Sequence, residues 1–168
     1  MNAFGAIGIV IGITNAAIGL LVYSYDRKSL NSRLWGLFAA SVSIWGIGGY
    51  MISISGNSES ALFWWRITHI GVIVIPFSLL AFTHSFLNKK MKLVGILSIV
   101  SITFFLAANT TSYFISSVRY VFDSFYYDSL PPILYNVFVA LFVVVFFYII
   151  VISVITYRNT NDLMKKKQ

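Results

Sequence analysis

Five long apolar runs dominate the sequence, and their length constrains the fold more than any other feature. About 20 apolar residues in a helix cross the roughly 30 Å hydrocarbon core of a bilayer. The runs cover residues 3–23, 34–54, 62–87, 93–108 and 133–157, and the fourth run is the shortest. A helix satisfies its backbone hydrogen bonds internally, whereas the strands of a membrane barrel need about ten residues of alternating polarity. The sequence therefore predicts an all-α polytopic bundle of five transmembrane helices in a single domain.

Charged residues are scarce and lie between the apolar runs. They make up 10% of the chain, against 58% for apolar residues, whereas soluble domains carry about 25% charged residues. Ten of the twelve basic residues lie in clusters at residues 27–33, at residues 89–92 and in the tail 158–168. Because short cytoplasmic loops are enriched in Lys and Arg, we expect the N-terminus outside and the basic tail in the cytoplasm. This topology and contact with anionic lipid explain the net charge of +7, so nucleic acid is not an expected partner.

Glycines recur in the first two runs at spacings typical of helix contacts. The first run contains Gly8 and Gly12 in "GAIGIVIGITNAAIGL", and the second contains Gly46, Gly48 and Gly49 in "WGIGGY". Small residues four apart let two membrane helices approach closely along one face. No strand precedes these glycines, so a phosphate-binding loop is the weaker interpretation. The pattern predicts that the first two helices use these glycines as contact surfaces.

The third run, "WWRITHIGVIVIPFSLLAFTHSF" at residues 64–86, contains three ionisable side chains. Ionisable groups are costly inside hydrocarbon, so each one needs an explanation. Arg66 lies near the outer end, where its stem can extend toward the headgroups, and His84 lies near the inner end, where it can reach the cytoplasmic headgroups. His69 is deeper than Arg66 and three residues away on the same helical face. We expect His69 either to face a polar cavity or to bond a neighbouring helix.

The third run also contains Pro76, while the chain offers little for cofactor chemistry. Pro76 removes the hydrogen bond to the Val72 carbonyl group, so it predicts a kink and a possible hinge. The two histidines are about 22 Å apart along one helix, which is too far to ligate one haem iron or one zinc ion. There is no cysteine, and the five acidic residues all lie outside the apolar runs. We therefore expect no metal, no cofactor and no enzymatic activity.

Residues 109–132 form the one sizeable segment between runs on the expected outer side. The segment is rich in aromatic residues, which include Tyr120, Phe122, Tyr126 and Tyr127. Three arrangements are open: the segment lies on the outer leaflet, forms a small hairpin, or covers the mouth of a cavity between helices. Its aromatic side chains serve either as an interfacial cover or as part of a site that captures a ligand.

Several stretches resemble the N-terminal seven-helix membrane sensor region of prokaryotic histidine kinases. The resemblance is carried by "NSRLWGLFAASVSIWGIGGYM" (31–51), "ALFWWRITHIGVIVIPFSLLAFTHSF" (61–86), "SSVRYVF" (116–122), "PPILYNVFVALFVVVFFYII" (131–150) and "MKKKQ" (164–168). It implies a receptor-like input module in the cell membrane that passes a helix displacement to cytoplasmic PAS or kinase domains. The chain departs from that family because it has about five helices and no kinase domain, so we expect a form that ends before any output domain.

Three hypotheses follow for the function of the chain. The resemblance favours a sensory input module, with Arg66, His69 and Pro76 as the candidate ligand or signal residues. The small size and the glycine-rich helix faces allow a structural or accessory subunit of a larger membrane complex. A small transporter or enzyme is the weakest hypothesis, because a pump is expected to bury a carboxylate in the membrane. The expected partners are the lipid bilayer and another membrane protein or a second copy of the chain.

Overall fold

The computed structural model describes residues 2–122, 124–128 and 132–165. Part of the expected outer segment (123 and 129–131) and of the basic tail (166–168) lies outside these residues. The described chain contains five helices of spanning length, which confirms the five predicted runs. They are α1 (Ala3–Tyr25), α2 (Leu30–Ser53), α3 (Ser58–Phe86), α4 (Lys92–Asn109) and α5 (Ile133–Lys165), with strands β1 (Val118–Val121) and β2 (Phe125–Asp128) between α4 and α5.

Most helices extend beyond the apolar runs that predicted them. Helix α3 begins at Ser58, where the Asn57 side chain accepts a hydrogen bond from the Ser60 backbone N–H at 2.8 Å. Helix α5 continues to Lys165, eight residues past the predicted end at residue 157. Hydropathy detects only the part of a helix that lies in hydrocarbon, whereas polar residues such as Lys and Asn can prolong the same helix outside it.

Glycine contacts hold α1 against α2. A Cβ atom placed on Gly46 would lie 2.5 Å from the Gly12 backbone nitrogen and 2.6 Å from the Gly8 carbonyl oxygen. The two helices therefore meet backbone to backbone at these three residues, with no room for a methyl group. Gly48 approaches the Thr68 side chain of α3, so the predicted glycine contact surfaces are confirmed.

Helix α3 is the central helix of the bundle. It packs against α2 on one side and against α4 and α5 on the other. Gly71 lets the backbone of α3 approach the Ser41 carbonyl oxygen of α2. About 61% of the most apolar part of α3 is buried, compared with 11% for α5. The protein is thus built around α3, while α5 packs on its periphery.

Aromatic rings fill the space between α3, α4 and α5. Phe114 follows α4 and is fully buried, with its ring centroid 6.0 Å from that of Phe105 and 5.7 Å from that of Phe138. These rings belong to a buried apolar cluster, named the aromatic cluster after its four phenylalanines. Its buried members are Ile73, Phe77, Leu80, Phe105, Ala108, Phe114, Ile115, Phe138, Val145 and Ile149. Interlocked side chains, rather than backbone contacts, therefore connect α4 and α5 to the central helix.

Strands β1 and β2 form an antiparallel hairpin over one end of the bundle. Arg119 pairs with Tyr127, and Tyr120 pairs with Tyr126. The Trp65 indole N–H of α3 donates to the Tyr126 carbonyl oxygen at 3.0 Å. The Phe4 ring of α1 stacks on the Phe125 ring with centroids 4.5 Å apart. Of the three arrangements that the sequence allows for this segment, the structure has the hairpin, which is attached to two helices and also contributes Tyr127 to the wall of a cavity between helices.

Candidate functional site

A cavity of about 420 Å³ lies beneath the hairpin, between α1, α2, α3 and α5. This volume falls within the range of about 300–1,000 Å³ that is typical of small-molecule sites. Its walls are mainly aromatic and aliphatic, and they include Thr68 and His69 at neighbouring positions of α3. The lining residues are Phe4, Val42, Trp45, Gly49, Ile52, Trp65, Thr68, His69, Val72, Ile75, Tyr127, Tyr135 and Phe142.

His69 is the most polar side chain that lines this cavity. It is only 3% exposed, and its Nδ1 lies 2.8 Å from the Trp65 carbonyl oxygen one turn earlier in α3. A carbonyl oxygen can only accept, so in the neutral ring Nδ1 carries the hydrogen and Nε2 is the acceptor. No described residue forms a hydrogen bond with that Nε2. The ring also contacts the Tyr135 ring of α5, with centroids 5.5 Å apart.

Thr68 places a second polar group in the cavity wall. Its hydroxyl group donates to the Trp64 carbonyl oxygen at 2.7 Å, which leaves the oxygen as an acceptor. The imidazole nitrogen and the hydroxyl oxygen thus both present acceptors, on neighbouring residues of one helix. The remaining lining residues are aliphatic or aromatic, and the aromatic ones include two tyrosines and two tryptophans. This arrangement suits a mainly apolar molecule that carries one or two hydrogen-bond donors, such as hydroxyl or amide N–H groups.

Arg66 does not share the cavity with His69, although the two are three residues apart. Its backbone carbonyl oxygen accepts a hydrogen bond from the Asn109 side chain of α4 at 2.9 Å. Within the described ranges, the Arg66 Nε and the Asn109 Oδ1 are buried and have no hydrogen-bond partner. Arg66 is therefore placed at the contact between α3 and α4, while His69 lines the cavity next to α2 and α5.

Pro76 lies below the cavity, in an uninterrupted α3. It borders a smaller void of about 130 Å³, whose other walls include Phe38 of α2 and Phe142 of α5. Ile75 and Phe142 line both this void and the larger cavity, so these two side chains lie between the two spaces. A hinge at Pro76 remains a prediction.

His84 is not in the position that the sequence suggests. Instead of reaching headgroups it is only 5% exposed, and its Nε2 lies 3.0 Å from the Tyr148 hydroxyl oxygen of α5. The chain reverses after α3 because Asn88 adopts a φ of 52°, and this turn brings the Lys90 carbonyl oxygen to 3.3 Å from His84 Nδ1. The expectation that His84 contacts headgroups is therefore wrong, because a tight turn and a neighbouring helix enclose the ring.

The four aromatic residues singled out in the outer segment have different positions. Tyr127 lines the cavity, and its ring meets the Trp65 ring edge to face at 5.4 Å. Tyr120 and Tyr126 pack on each other across the hairpin at 5.1 Å. Phe122 is 89% exposed in the turn between the strands. Only Tyr127 of these four lines the cavity.

Several lining residues were not predicted from the sequence. Trp65 and Thr68 adjoin His69 at helical spacings of four and one, so a search around His69 on α3 could have found them. Trp45 of α2 and Tyr135 of α5 carry no such signal. Their place in the cavity depends on how each helix is rotated against α3, which periodicity cannot determine in a run that is apolar on every face.

Comparison with known proteins identifies the family of the chain. The family described as the N-terminal 7TM region of histidine kinase matches residues 8–168. No curated protein and no solved structure matches the chain. The family match does not favour the accessory-subunit hypothesis, and with the five spanning helices it makes the chain a multi-pass membrane protein. The chain belongs to the family of N-terminal seven-transmembrane regions of histidine kinases.

Proposed function

We propose that this protein is a sensory input module in a prokaryotic cell membrane, with its N-terminus outside and the end of α5 in the cytoplasm. Its stimulus is a small, mainly apolar molecule that occupies the cavity beneath the hairpin. The observation that carries this proposal is the cavity itself, where His69 Nε2 has no hydrogen-bond partner among the described residues. A ligand that donates a hydrogen bond to this acceptor gains affinity and a fixed orientation in the cavity.

The chemistry of the cavity defines the class of ligand. Rings of Trp45, Trp65 and Tyr135 provide flat apolar walls, and the acceptors on Thr68 and His69 lie at one side. A donor group on the ligand satisfies those acceptors, while the apolar body replaces contacts with lipid. Such a molecule partitions into the membrane, so it reaches the cavity either from the outer solution or from the bilayer.

The two sides of the cavity are packed unequally, and this difference suggests how ligand binding is passed on to the cytoplasmic side. One wall belongs to α2 and α3, which approach each other through Gly48 and Gly71. The opposite wall includes Tyr135 and Phe142 of the peripheral α5. A ligand that needs more room displaces the less constrained element, and helix shifts of about 1–2 Å are typical of such switches. Helix α5 then carries the displacement toward a cytoplasmic output domain, and the input module itself performs no catalysis.

The proposal can be tested by a substitution that fills the cavity in the absence of a ligand. Gly49 lines the cavity, and a Cβ atom there meets only the Phe4 ring at 3.7 Å, so Gly49→Leu places a side chain in the empty space. The matched control is Gly95→Leu on α4, where a Cβ atom has no neighbour within 4 Å. Each variant is joined after Gln168 to the catalytic region of a histidine kinase and reconstituted in vesicles, and autophosphorylation is measured.

We expect Gly49→Leu to change autophosphorylation by about fivefold or more in either direction, which corresponds to about 1 kcal/mol of bias between two states. Gly95→Leu leaves the rate at the value of the unmodified fusion. Equal rates for all three proteins would contradict the proposal. Equal changes in both variants would also contradict it, because the effect would then not depend on the cavity.

A further inference from the structure

A second groove runs along α1 and α2 at the end of the bundle opposite the hairpin. It has a volume of about 520 Å³ and shares no lining residue with the cavity beneath the hairpin. Its floor contains Gly19 and Gly36, and its apolar edges include Leu20 and Leu37, which are 66% and 48% exposed. The groove is therefore open to the side, where the surrounding medium is lipid.

The length of the groove matches one leaflet of a bilayer. On α2 it extends from Arg33 to Ile44. The eleven residue-to-residue steps between them rise about 16 Å, which is close to half of the roughly 30 Å hydrocarbon core. An acyl chain of one lipid lies within one leaflet, so its length fits this groove.

A basic group closes the groove at the membrane surface. Arg33 is the one charged residue among the lining residues, and it stands at the end where α1 connects to α2. Its Nε donates to the Arg27 carbonyl oxygen at 2.8 Å, which fixes the guanidinium group across the connection. Guanidinium groups bind phosphate through paired N–H donors. Arg27 and Lys28 add positive charge next to it.

The acidic residue in this connection does not cancel that charge. The Asp26 Oδ1 accepts from the backbone N–H groups of Lys28 and Ser29, each at 3.1 Å. Its carboxylate is thus used to order the connection, and one negative charge remains beside three positive ones. The connection keeps a net positive charge directly above an apolar groove of one-leaflet length.

We propose that the groove binds an anionic phospholipid, with one acyl chain along α1 and α2 and the phosphate group on Arg33. The negative phosphate group matches the positive charge of Arg33, and the acyl chain matches the apolar walls of the groove. This site goes beyond the sensory proposal, because it lies apart from the cavity and does not depend on what occupies that cavity.

Native mass spectrometry of the full chain in a mild detergent tests the proposal. The protein is mixed with equal amounts of phosphatidylglycerol and phosphatidylcholine that carry identical acyl chains, and bound lipid is counted. We expect the unmodified protein to retain phosphatidylglycerol about fivefold more than phosphatidylcholine, the factor that one cation near the surface supplies. Arg33→Gln reduces that preference below about twofold, and Arg33→Lys retains more of it than Arg33→Gln. The control Arg119→Gln, on the exposed face of β1, keeps the full preference.

A second variant tests the acyl chain. A Cβ atom on Gly36 lies no closer than 3.6 Å to the Tyr23 side chain, so Gly36→Leu fits and fills the groove. It lowers retention of both lipids, whereas Gly95→Leu does not. The proposal is overturned by equal retention of the two lipids, by equal effects of Arg33→Gln and Arg119→Gln, or by displacement of the lipid by inorganic phosphate alone. Efficient disulfide dimerisation of Leu37→Cys would also overturn it, since a second copy would then cover the groove.

Discussion

The two sides of α3 are packed by different means. On the side of α1 and α2, α3 meets α2 backbone to backbone at Gly71 and Ser41, and α2 meets α1 in the same way through Gly46, Gly8 and Gly12. Toward α4 and α5 the contacts are between rings, with Phe114 at the centre of the aromatic cluster and Phe138 beside it. Backbone contacts allow little relative movement, because a shift of either helix would create a void or a steric clash. Rings have rotamers and can repack, so the difference separates a fixed side from an adaptable one.

The largest expected effect is the loss of the central ring on the adaptable side. Phe114→Ala removes a fully buried ring that contacts Phe105, Tyr135 and Phe138. We expect the free energy of unfolding in detergent to fall by about 4 kcal/mol, from lost packing and the cavity left behind. The control Phe122→Ala removes an 89% exposed ring from the hairpin turn and changes stability little. Equal losses for both variants would show that the aromatic cluster does not hold α4 and α5.

The second-largest effect is expected on the fixed side, where glycine is replaced by leucine at either of two positions of α2. Gly46→Leu forces a side chain against the backbone of α1, so we expect a loss of about 3 kcal/mol. At Gly49 a Cβ atom meets only the Phe4 ring at 3.7 Å, so Gly49→Leu is accommodated and its unfolding midpoint stays close to that of the unmodified protein. The midpoints are compared in one detergent by circular dichroism. A larger loss of stability for Gly49→Leu than for Gly46→Leu would contradict the assignment of Gly46 to the backbone contact with α1 and of Gly49 to the cavity.

A smaller effect concerns the hydrogen bond between α3 and α5. Tyr148→Phe removes the hydroxyl group that meets His84 Nε2 at 3.0 Å and leaves this buried nitrogen without that partner. The expected loss of stability is about 1–2 kcal/mol. Tyr157→Phe on the same helix is the matched control, because its side chain is 69% exposed. Should the two variants unfold at the same midpoint, His84 would not link α3 to α5.

The smallest effect is confined to the hairpin. Trp65→Phe keeps a ring but removes the N–H group that donates to the Tyr126 carbonyl oxygen. We expect the hairpin to open about fivefold more often, the result of losing about 1 kcal/mol, with global stability nearly unchanged. Hydrogen exchange of the β1 amides measures the opening. Trp64→Phe is the control, since its ring packs on Phe63 of the same helix; equal exchange in both variants would contradict this role of Trp65.

The sequence predicts the fixed side better than the adaptable one. Spans and glycine contacts depend on local properties, namely run length and the spacing of small residues, and Gly8, Gly12 and Gly46 meet as expected. The cavity depends on non-local properties. Tyr135 and Trp45 reach His69 only through the rotation of α5 and α2, which an all-round apolar helix does not encode in its periodicity. The position of His84 depends on a left-handed turn at Asn88, which an Asn after a helix can signal, and on Tyr148 of α5, which local sequence does not place beside the ring.

The hairpin was one of several options for a similar reason. Alternation along β1 is short, and Tyr120 and Tyr127 suit a membrane interface as well as a strand. What selects the hairpin is its attachment to other elements, through the Trp65 indole group and the Phe4 ring. Those contacts join residues more than 60 positions apart, so they could not be predicted from spacing.

The proposed sensory relay requires α5 to move while α2 and α3 stay fixed. The chain has no cysteine, so pairs of spin labels can be placed on Phe86 and Ile155, and on Phe86 and Leu30, at exposed positions of α3, α5 and α2. Electron–electron distance measurements in vesicles then compare the unmodified chain with Gly49→Leu. We predict a shift of about 1–2 Å between Phe86 and Ile155 and none between Phe86 and Leu30. An equal shift in both pairs, or none in either, would contradict the account.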